Sequence, residues 1–288
     1  MNPAAALGVA LLMTQPPPPP ASPHYFGITD LSRTVVLLQN AVPQFMNVEG
    51  VQKEVWLKGP SDAAPVRHGV PVSGTGFLVV SRDRLILVTA AHVAEAMGPT
   101  TTVTIAGPTD QPASLSLAEL AGTSRPTWLL HSSADAAVMQ LRPSQPLVDG
   151  LLKGRFAPDV LLSPSNEAPS REAQLTVIGF PKGLGVGARF SPLTLQTFAA
   201  SGLFSHRRFD KAIDTPFFFL QDPSVGGYSG APVYDVSIRN LGGAVVTGDG
   251  TRCYGLVHGT LGDETGGKLS AVVPIQAVLE LLAQPTLP

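Results

Sequence analysis

The residues GYSGAPV at 227–233 carry the strongest signal in this chain, and a glycine-rich approach, SVGG at 224–227, leads into them. A serine between glycines is often only a turn residue, because glycine accepts backbone conformations that other residues avoid. Two further motifs lie upstream, TAAH at 89–92 and DAAV at 135–138. Together the three motifs place a histidine, an aspartate and a serine in that order along the chain.

The combination of these three residues points to nucleophilic catalysis more strongly than any of them does alone. Acyl transfer needs a base that accepts the hydroxyl proton and a buried acid that fixes the tautomer of the base. His92, Asp135 and Ser229 are the candidates for the base, the acid and the nucleophile. The reaction also needs backbone N–H groups aimed at the developing oxyanion, and the amides of Gly227 and Ser229 are the candidates for that role.

Composition limits the fold and the partners of the chain. The protein has 288 residues and a mass of 30.0 kDa, 44% of the residues are hydrophobic, and 29 glycines and 28 prolines favour short strands with many turns. The net charge of −2 without a basic run argues against nucleic-acid binding. A single cysteine, Cys253, excludes an internal disulfide and is expected to be buried and apolar. No apolar run is long enough to span a membrane.

Short apolar runs between turn residues predict an all-β protein with two series of strands. Apolar residues at helical spacing predict one closing helix at Pro274–Ala283. Residues 28–42 fit either a short amphipathic helix or a first strand. The predicted strands are Gly74–Val80, Leu85–Thr89, Thr102–Ile105, Trp128–Leu130 and Ala136–Leu141 in the first series, and Leu175–Ile178, Thr194–Ala199, Phe217–Leu220, Ala231–Tyr234 and Cys253–Val257 in the second.

Four segments follow from this pattern. Residues 1–27 form a disordered tail or an export signal, since an apolar stretch at 4–13 precedes a run of prolines but no basic residue precedes that stretch. Residues 28–150 form the first β-unit, 151–172 a linker, and 173–288 the second β-unit with the helix. A secreted or periplasmic location is slightly favoured over a cytoplasmic one, and both stay open.

At these motifs the sequence resembles the chymotrypsin-like (trypsin-fold) serine peptidases, above all their bacterial, disulfide-free branch with HtrA-type and glutamyl-endopeptidase-type enzymes. Supporting matches are GTGF at 74–77, GFP at 179–181 and GLV at 255–257, so the resemblance covers about residues 65–280. It implies two packed, antiparallel six-stranded β-barrels and a C-terminal helix. His92 and Asp135 would then belong to the first barrel and Ser229 to the second.

The resemblance implies a serine endopeptidase that acts on protein or peptide substrates through an acyl-enzyme, with no cofactor and no metal. Its alternative is a catalytically silent relative that binds peptides in the cleft between the barrels. Tyr228 stands before the serine, where members that are activated by cleavage carry an aspartate. We therefore expect activity without internal cleavage.

The family's substrate pocket corresponds here to residues 222–224 and 258–260, with Ser224, His258, Gly259 and Thr260 as the substrate-binding candidates. Glutamyl endopeptidases receive a carboxylate with a histidine and a hydroxyl, and His258 with Ser224 or Thr260 would resemble that arrangement. His258 lies one position later than their histidine, however, and such an offset turns a strand side chain to the other face. The alternative is a small, polar pocket without strong preference.

Two competing interpretations are weaker. The α/β-hydrolases also place a serine in a glycine-rich elbow, but their triad runs serine, acid, histidine. Only 59 residues follow Ser229, and His258 and Asp263 lie there in the reverse order. The aromatic run Phe217–Phe219 fits the core and the wall of a cleft better than a partner site.

Overall fold

The computed structural model describes residues 26–57, 64, 66–67, 69–241, 244–248, 250–285 and 287. The tail or export signal predicted for residues 1–27 therefore lies almost wholly outside the described residues. The described chain is mostly β-structure, which confirms the predicted fold class. Within the described residues, no helix is long and apolar enough to cross a membrane.

The first half of the chain builds a sheet of eight strands in the order β10-β11-β7-β6-β1-β8-β9, with β12 beside β6. All of its pairs are antiparallel except β12 with β6. Two small hairpins, β2–β3 and β4–β5, stand apart from it. The strands are β1 Val35–Pro43, β2 Phe45–Val48, β3 Val51–Glu54, β4 Trp56–Leu57, β5 Val66–Arg67, β6 Gly69–Ser81, β7 Arg84–Thr89, β8 Thr102–Ala106, β9 Pro112–Ser116, β10 Leu129–Leu130, β11 Ala137–Leu141 and β12 Ala157–Pro158.

The second half builds an antiparallel sheet of seven strands in the order β14-β13-β17-β20-β21-β16-β15, and β18 and β19 form a separate hairpin. The strands are β13 Leu175–Gly179, β14 Leu193–Thr197, β15 Phe204–Arg207, β16 Asp214–Leu220, β17 Pro232–Asp235, β18 Ile238–Leu241, β19 Ala244–Thr247, β20 Arg252–Gly262 and β21 Lys268–Pro274. All ten strands predicted from the sequence overlap observed ones. The two large sheets add β1, β9, β12, β15 and β21, and the other six added strands form the small hairpins.

The two sheets differ from the six-stranded closed barrels that the resemblance implies. They hold eight and seven strands, and the hydrogen bonds of the described residues close neither sheet into a barrel. One added strand comes from the predicted linker, because β12 pairs with β6 through Ala157 and Val79. This segment thus contributes an edge strand to the first sheet.

The described part of the chain also contains five short α-helices: α1 Ile28–Ser32, α2 Ala91–Glu95, α3 Leu117–Ala121, α4 Gln145–Leu147 and α5 Gln276–Leu282. Helix α5 confirms the closing helix, and its apolar face buries Val278, Leu281 and Leu282. Residues 28–42 contain both predicted elements in sequence, since α1 precedes β1. Helix α2 follows directly after β7, which fixes the position of His92.

The core contains the aromatic run and the cysteine. Phe217, Phe218 and Phe219 are almost fully buried, in agreement with a core role. Cys253 is also fully buried, and burial raises the pKa of its thiol to about 12. Because the thiolate is the reactive form, this residue behaves as a small apolar side chain.

Candidate active site

Helix α2 presents His92 in its first turn, immediately after the buried strand β7. Ala90 precedes the helix with extended backbone angles, so the chain bends sharply between strand and helix. The backbone N–H of His92 lies at the helix start and has no partner within the helix. It donates to Asp135 Oδ1 at 2.9 Å. The His92 side chain is 30% exposed, whereas that of Asp135 is fully buried. One edge of the imidazole therefore meets solvent and the other meets the acid.

Asp135 lies just before β11, and its carboxylate accepts four hydrogen bonds. Oδ1 accepts from the backbone N–H of His92 at 2.9 Å and from Arg208 Nη2 at 3.1 Å. Oδ2 accepts from Nδ1 of His92 at 2.7 Å and from Nδ1 of His258 at 2.5 Å. Four bonds use all the lone-pair positions of an ionised carboxylate, so Asp135 is held rigidly.

The same contacts keep Asp135 ionised. Burial alone would raise the pKa of its carboxyl, but the hydrogen bonds from His258 and His92 outweigh it and hold that pKa well below its usual range. Since an ionised carboxylate only accepts, Nδ1 of His92 carries the proton in this pair. Nε2 of neutral His92 is then a free acceptor, which is the tautomer that a general base requires.

Ser229 lies in a tight turn between Gly227 and Gly230, whose φ angles are +100° and +85°. A Cβ on Gly230 would lie 2.1 Å from the carbonyl oxygen of Thr75, so only glycine fits there. The Ser229 hydroxyl donates to the carbonyl of His258 at 3.2 Å. Within the described part of the chain it forms no hydrogen bond with His92. Such catalytic contacts often form only when substrate binds.

A hydrogen bond from the short turn after β13 fixes the candidate oxyanion donor. The amide of Lys182 donates to the carbonyl of Gly226 at 2.6 Å. Because the carbonyl and N–H of one trans peptide point in opposite directions, the N–H of Gly227 points away from Lys182. A Cβ on Gly227 would lie 2.4 Å from the carbonyl oxygen of Phe180. Neither Gly227 nor Ser229 donates its amide to another described residue, so both amides are available to an anion.

Thr75 ties this loop to the first sheet. Its Oγ1 donates to the carbonyl of Gly227 at 2.8 Å and accepts from the amide of Phe180 at 3.0 Å. Its own amide donates to the carbonyl of Ser229 at 2.9 Å. Two of the three predicted supporting motifs, GTGF and GFP, are thus tied together through Thr75, which contacts the serine loop. The sequence did not reveal this contact, because the motifs lie about a hundred residues apart.

His258 takes a position that the regular strand pattern would not give it. The pairing of β20 with β21 shifts register between Val257 and Gly259, so His258 is the extra residue of a β-bulge. Bulges re-aim side chains, and the imidazole is buried and faces Asp135. The predicted partner for this ring was a substrate carboxylate, whereas its partner in the structure is the acid of the candidate site.

The other three substrate-binding candidates lie together beside the serine loop. Thr260 Oγ1 donates to the carbonyl of Ser224 at 2.7 Å, so the 2.8 Å contact between the two hydroxyls is donated by Ser224. Gly259 lies between His258 and Thr260, and a Cβ there would make an ordinary contact with the ring of Phe209. The structure therefore brings Ser224 and Thr260 together and leaves both hydroxyls half-buried.

Two charged residues of the site carry no motif and were not predicted. Arg208 follows β15 and, besides Asp135, binds Asp210 through two hydrogen bonds of 2.9 and 2.6 Å. Its guanidinium also donates to the carbonyl of Ser133 at 3.0 Å. An aspartate two residues after an arginine in a turn is an unremarkable local pattern. Only the fold brings this pair to Asp135.

One group of described side chains has potential metal-ligand atoms close enough together to hold an ion. It consists of His92, Asp135 and His258. Their contacts do not fit that use. Two ligands of one tetrahedral zinc ion lie about 3.3 Å apart, given metal–ligand bonds of about 2.0 Å. The nitrogen–oxygen distances here are 2.7 and 2.5 Å, which are those of charge-assisted hydrogen bonds.

Comparison with known proteins places this geometry in context. The protease domain of MamO from Magnetospirillum magneticum is 14% identical, with a TM-score of 0.50, and the match covers 88% of this chain and 98% of that one. The HtrA-type protease AlgW, solved with a decapeptide, is 14% identical, with a TM-score of 0.51 and coverage of 88% and 65%. These similarities establish a shared fold. No curated protein sequence matches significantly.

The family assignment rests on the sequence profile of the trypsin-like peptidase domain, which matches residues 74–248. That range includes His92, Asp135 and Ser229, and it covers more than half of the chain. The profile, the two antiparallel sheets and the shared fold agree, and the chain belongs to the trypsin-like peptidase family of serine proteases.

Proposed function

We propose that this chain is a serine endopeptidase in which His92 is the general base, Asp135 the orienting acid and Ser229 the nucleophile. The observation that carries the proposal is the 2.7 Å contact between Nδ1 of His92 and the ionised Asp135. It leaves Nε2 of His92 as the acceptor on the exposed side of the ring. The Ser229 hydroxyl donates to the carbonyl of His258, whose ring lies edge-on to that of His92.

In the acylation step, the Ser229 hydroxyl rotates from the His258 carbonyl towards His92. Its proton passes to Nε2 of His92 while Oγ bonds to the carbonyl carbon of the substrate. The carbonyl oxygen becomes an oxyanion and accepts hydrogen bonds from the amides of Gly227 and Ser229. When the C–N bond breaks, the leaving amine takes the proton from His92.

Deacylation repeats this sequence with water. His92 accepts a proton from the water molecule, whose oxygen attacks the ester carbon of the acyl-enzyme. The same two amides bind the second oxyanion, and the proton returns to Ser229 Oγ as the C–O bond breaks. Asp135 stays ionised in both halves and stabilises the imidazolium that forms twice per turnover.

The substrate side chain that precedes the cleaved bond is proposed to enter beside Ser224, Gly259 and Thr260. The hydroxyls of Ser224 and Thr260 are the polar groups at this place, and they already bond to each other. A side chain that exchanges a hydrogen bond with this pair suits the site. We therefore propose protein or peptide substrates with a small, polar residue at that position.

Labelling with a fluorophosphonate tests the proposal, since this reagent bonds covalently only to an activated serine. The wild-type protein should incorporate one label per chain, and Ser229→Ala should incorporate none. The variant Ser205→Ala is a matched control, because Ser205 is an exposed serine on β15. Absence of labelling in correctly folded wild-type protein would contradict the proposal.

A catalytically silent, peptide-binding protein is the second candidate, and one observation favours it. The Ser229 hydroxyl donates to the His258 carbonyl and not to His92. A silent protein would bind peptides but would not be labelled by the fluorophosphonate. Replacing Ser229 with alanine would leave its affinity for peptides unchanged. Labelling that depends on His92 would exclude this candidate.

A further inference from the structure

We propose that His258 is a positioning residue for Asp135, a role that rests on the proposed peptidase function. Its Nδ1–H supplies the fourth hydrogen bond to the carboxylate, and a backbone amide at the tip of the β15–β16 hairpin fixes the tautomer that makes this possible. The hairpin tip, residues 208–213, thereby takes part in assembling the site.

The tautomer of His258 follows from its two neighbours. The amide of Phe209 donates to Nε2 of His258 at 3.1 Å, so Nε2 is an acceptor without a proton. A neutral imidazole carries its proton on the other nitrogen. Nδ1 of His258 is therefore the donor in the 2.5 Å contact with Asp135 Oδ2. A chain of two hydrogen bonds runs from the Phe209 amide through the ring to the acid.

Packing holds the ring in this orientation. His258 is stacked on Phe217 at a centroid distance of 5.2 Å and lies against Phe209 at 4.8 Å. Its side chain is 2% exposed. The ring is also 5.6 Å from the ring of His92, in an edge-on arrangement. Because both aromatic rings pack against the buried imidazole, rotation of His258 to another partner would lose these contacts and leave a gap in the core.

The hairpin tip supplies a second contact to the same carboxylate. Arg208 donates to Asp135 Oδ1, while Asp210 holds the guanidinium through a bidentate pair. Arg208 Nη2 and the His258 ring thus reach Asp135 from the second half of the chain, whereas the acid itself lies just before β11 of the first sheet. The Phe209 amide acts one step further away, through the His258 ring. Correct docking of this tip is a condition for an oriented acid.

The charged groups around His258 are two carboxylates and one guanidinium, and the Phe209 amide decides which ring nitrogen carries the proton. Asp135 faces its Nδ1, and the carboxylate of Asp210 lies 3.9 Å from its Nε2. Arg208 lies between these two acids and pairs with both. A second proton on Nε2 would meet the Phe209 N–H, which is itself a donor. The arrangement assigns one proton to this ring and directs it at Asp135.

Two substitutions separate positioning from packing. His258→Asn keeps an amide N–H near the place of Nδ1, whereas His258→Leu keeps an apolar volume without a donor. We expect His258→Leu to lower kcat about 10²-fold, the usual cost of a misplaced catalytic group, with KM within about twofold of the wild type. His258→Asn should retain most of kcat. Circular dichroism and thermal unfolding show whether both variants fold.

Equal kcat values for folded His258→Leu and wild type would overturn the proposal, as would an equal loss of kcat in His258→Asn and His258→Leu. If His258→Leu does not fold, the proposal is tested by the tautomer of His258 in a protein that keeps this histidine. Long-range ¹H–¹⁵N spectra of Ser229→Ala at neutral pH should show the His258 proton on Nδ1. A proton on Nε2 would overturn the proposal. Fluorophosphonate labelling of the wild type tests the peptidase function separately, and the tautomer measurement does not depend on its outcome.

Discussion

Thr75 Oγ1 donates a 2.8 Å hydrogen bond to the carbonyl of Gly227, and this contact joins the first sheet to the loop that carries the candidate nucleophile. The same oxygen accepts the amide of Phe180, so one buried hydroxyl satisfies two backbone groups. One side chain of β6 therefore holds the backbone of both Gly227 and Phe180 beside the proposed oxyanion site.

Replacing Thr75 with valine tests whether this hydrogen bond positions the proposed oxyanion donor. Valine keeps the shape but leaves a buried carbonyl and a buried N–H without partners. We expect a loss of about 1–3 kcal/mol in the free energy of unfolding. We also expect a fall in kcat of about 10- to 10³-fold, the upper bound being the loss of an oxyanion donor. Urea unfolding and peptide hydrolysis measure the two effects.

Thr75→Ser is the matched control, because it keeps the hydroxyl and removes only the methyl group. It should retain kcat within a few fold. If Thr75→Val and Thr75→Ser reduce kcat equally, the hydrogen bond to Gly227 does not position the loop.

Gly227→Ala should abolish most of the activity. The φ angle of +100° is strained for alanine, and its methyl group would lie 2.4 Å from the Phe180 carbonyl. The loop must shift, and the oxyanion donor shifts with it. A loss of about 10²–10³-fold in kcat is expected. Gly154 has a φ of +72° and open space around it. Gly154→Ala therefore tests the effect of backbone strain alone, without displacement of the loop that carries Ser229. Full activity in Gly227→Ala would remove this amide from the mechanism.

The three proposed catalytic residues should act as one unit. Ser229→Ala and His92→Ala are each expected to lower kcat by about 10⁶, and the double variant should be hardly worse. Asp135→Asn should cost about 10⁴, because the wrong imidazole tautomer forms. Steady-state hydrolysis of a peptide substrate measures all four proteins. Additive losses would show that serine and histidine do not share a proton transfer, and near-normal activity of Asp135→Asn would identify another acid.

The depressed pKa of Asp135 makes a part of the folding stability depend on pH. A carboxyl whose pKa is lower in the folded state stabilises the protein above its unfolded pKa, about 3.9 for aspartate. That contribution is lost as the pH falls below this value. Urea unfolding should therefore show that Asp135→Asn is about 3 kcal/mol less stable than the wild type at neutral pH. The difference should shrink steadily below about pH 4.

The exposed Asp83 provides the control for this series. Asp83→Asn removes one exposed carboxylate and should differ little in the free energy of unfolding from the wild type at neutral pH. A gap between Asp135→Asn and wild type that stays constant from pH 7 to pH 3 would show that the buried carboxylate is not linked to stability in this way.

Local patterns were sufficient to predict ten of the fifteen strands in the two large sheets and to single out the three catalytic candidates. Strand β7 and the following TAAH motif could be identified because a buried strand, a sharp bend and a short helix lie within ten residues. The same holds for the glycine turn around Ser229. In both cases, neighbours in the sequence create the backbone geometry.

The contacts that surround Asp135 could not be predicted in this way. Arg208 and His258 lie 73 and 123 residues from the acid, and neither lies in a motif that specifies the contact. The direction of the His258 ring depends on one extra residue in the pairing of β20 with β21. A bulge of this kind depends on the packing of both strands, so a register argument from one strand points the ring elsewhere.

Ser224 and Thr260 pair through their side chains at the proposed substrate pocket. Thr260→Val keeps the shape of the side chain and removes the hydroxyl that bonds to Ser224 twice. Without it, a polar substrate side chain loses a partner, while a small apolar side chain gains an apolar wall. The preference should move from serine or asparagine towards alanine or valine at the residue before the cleaved bond. A change of about 10- to 100-fold in relative kcat/KM is expected. Cleavage of a peptide library by both proteins measures it, with the exposed Thr102→Val on β8 as the control. An unchanged preference in Thr260→Val would place the pocket elsewhere, and it would leave the roles proposed for His92, Asp135 and Ser229 unaffected.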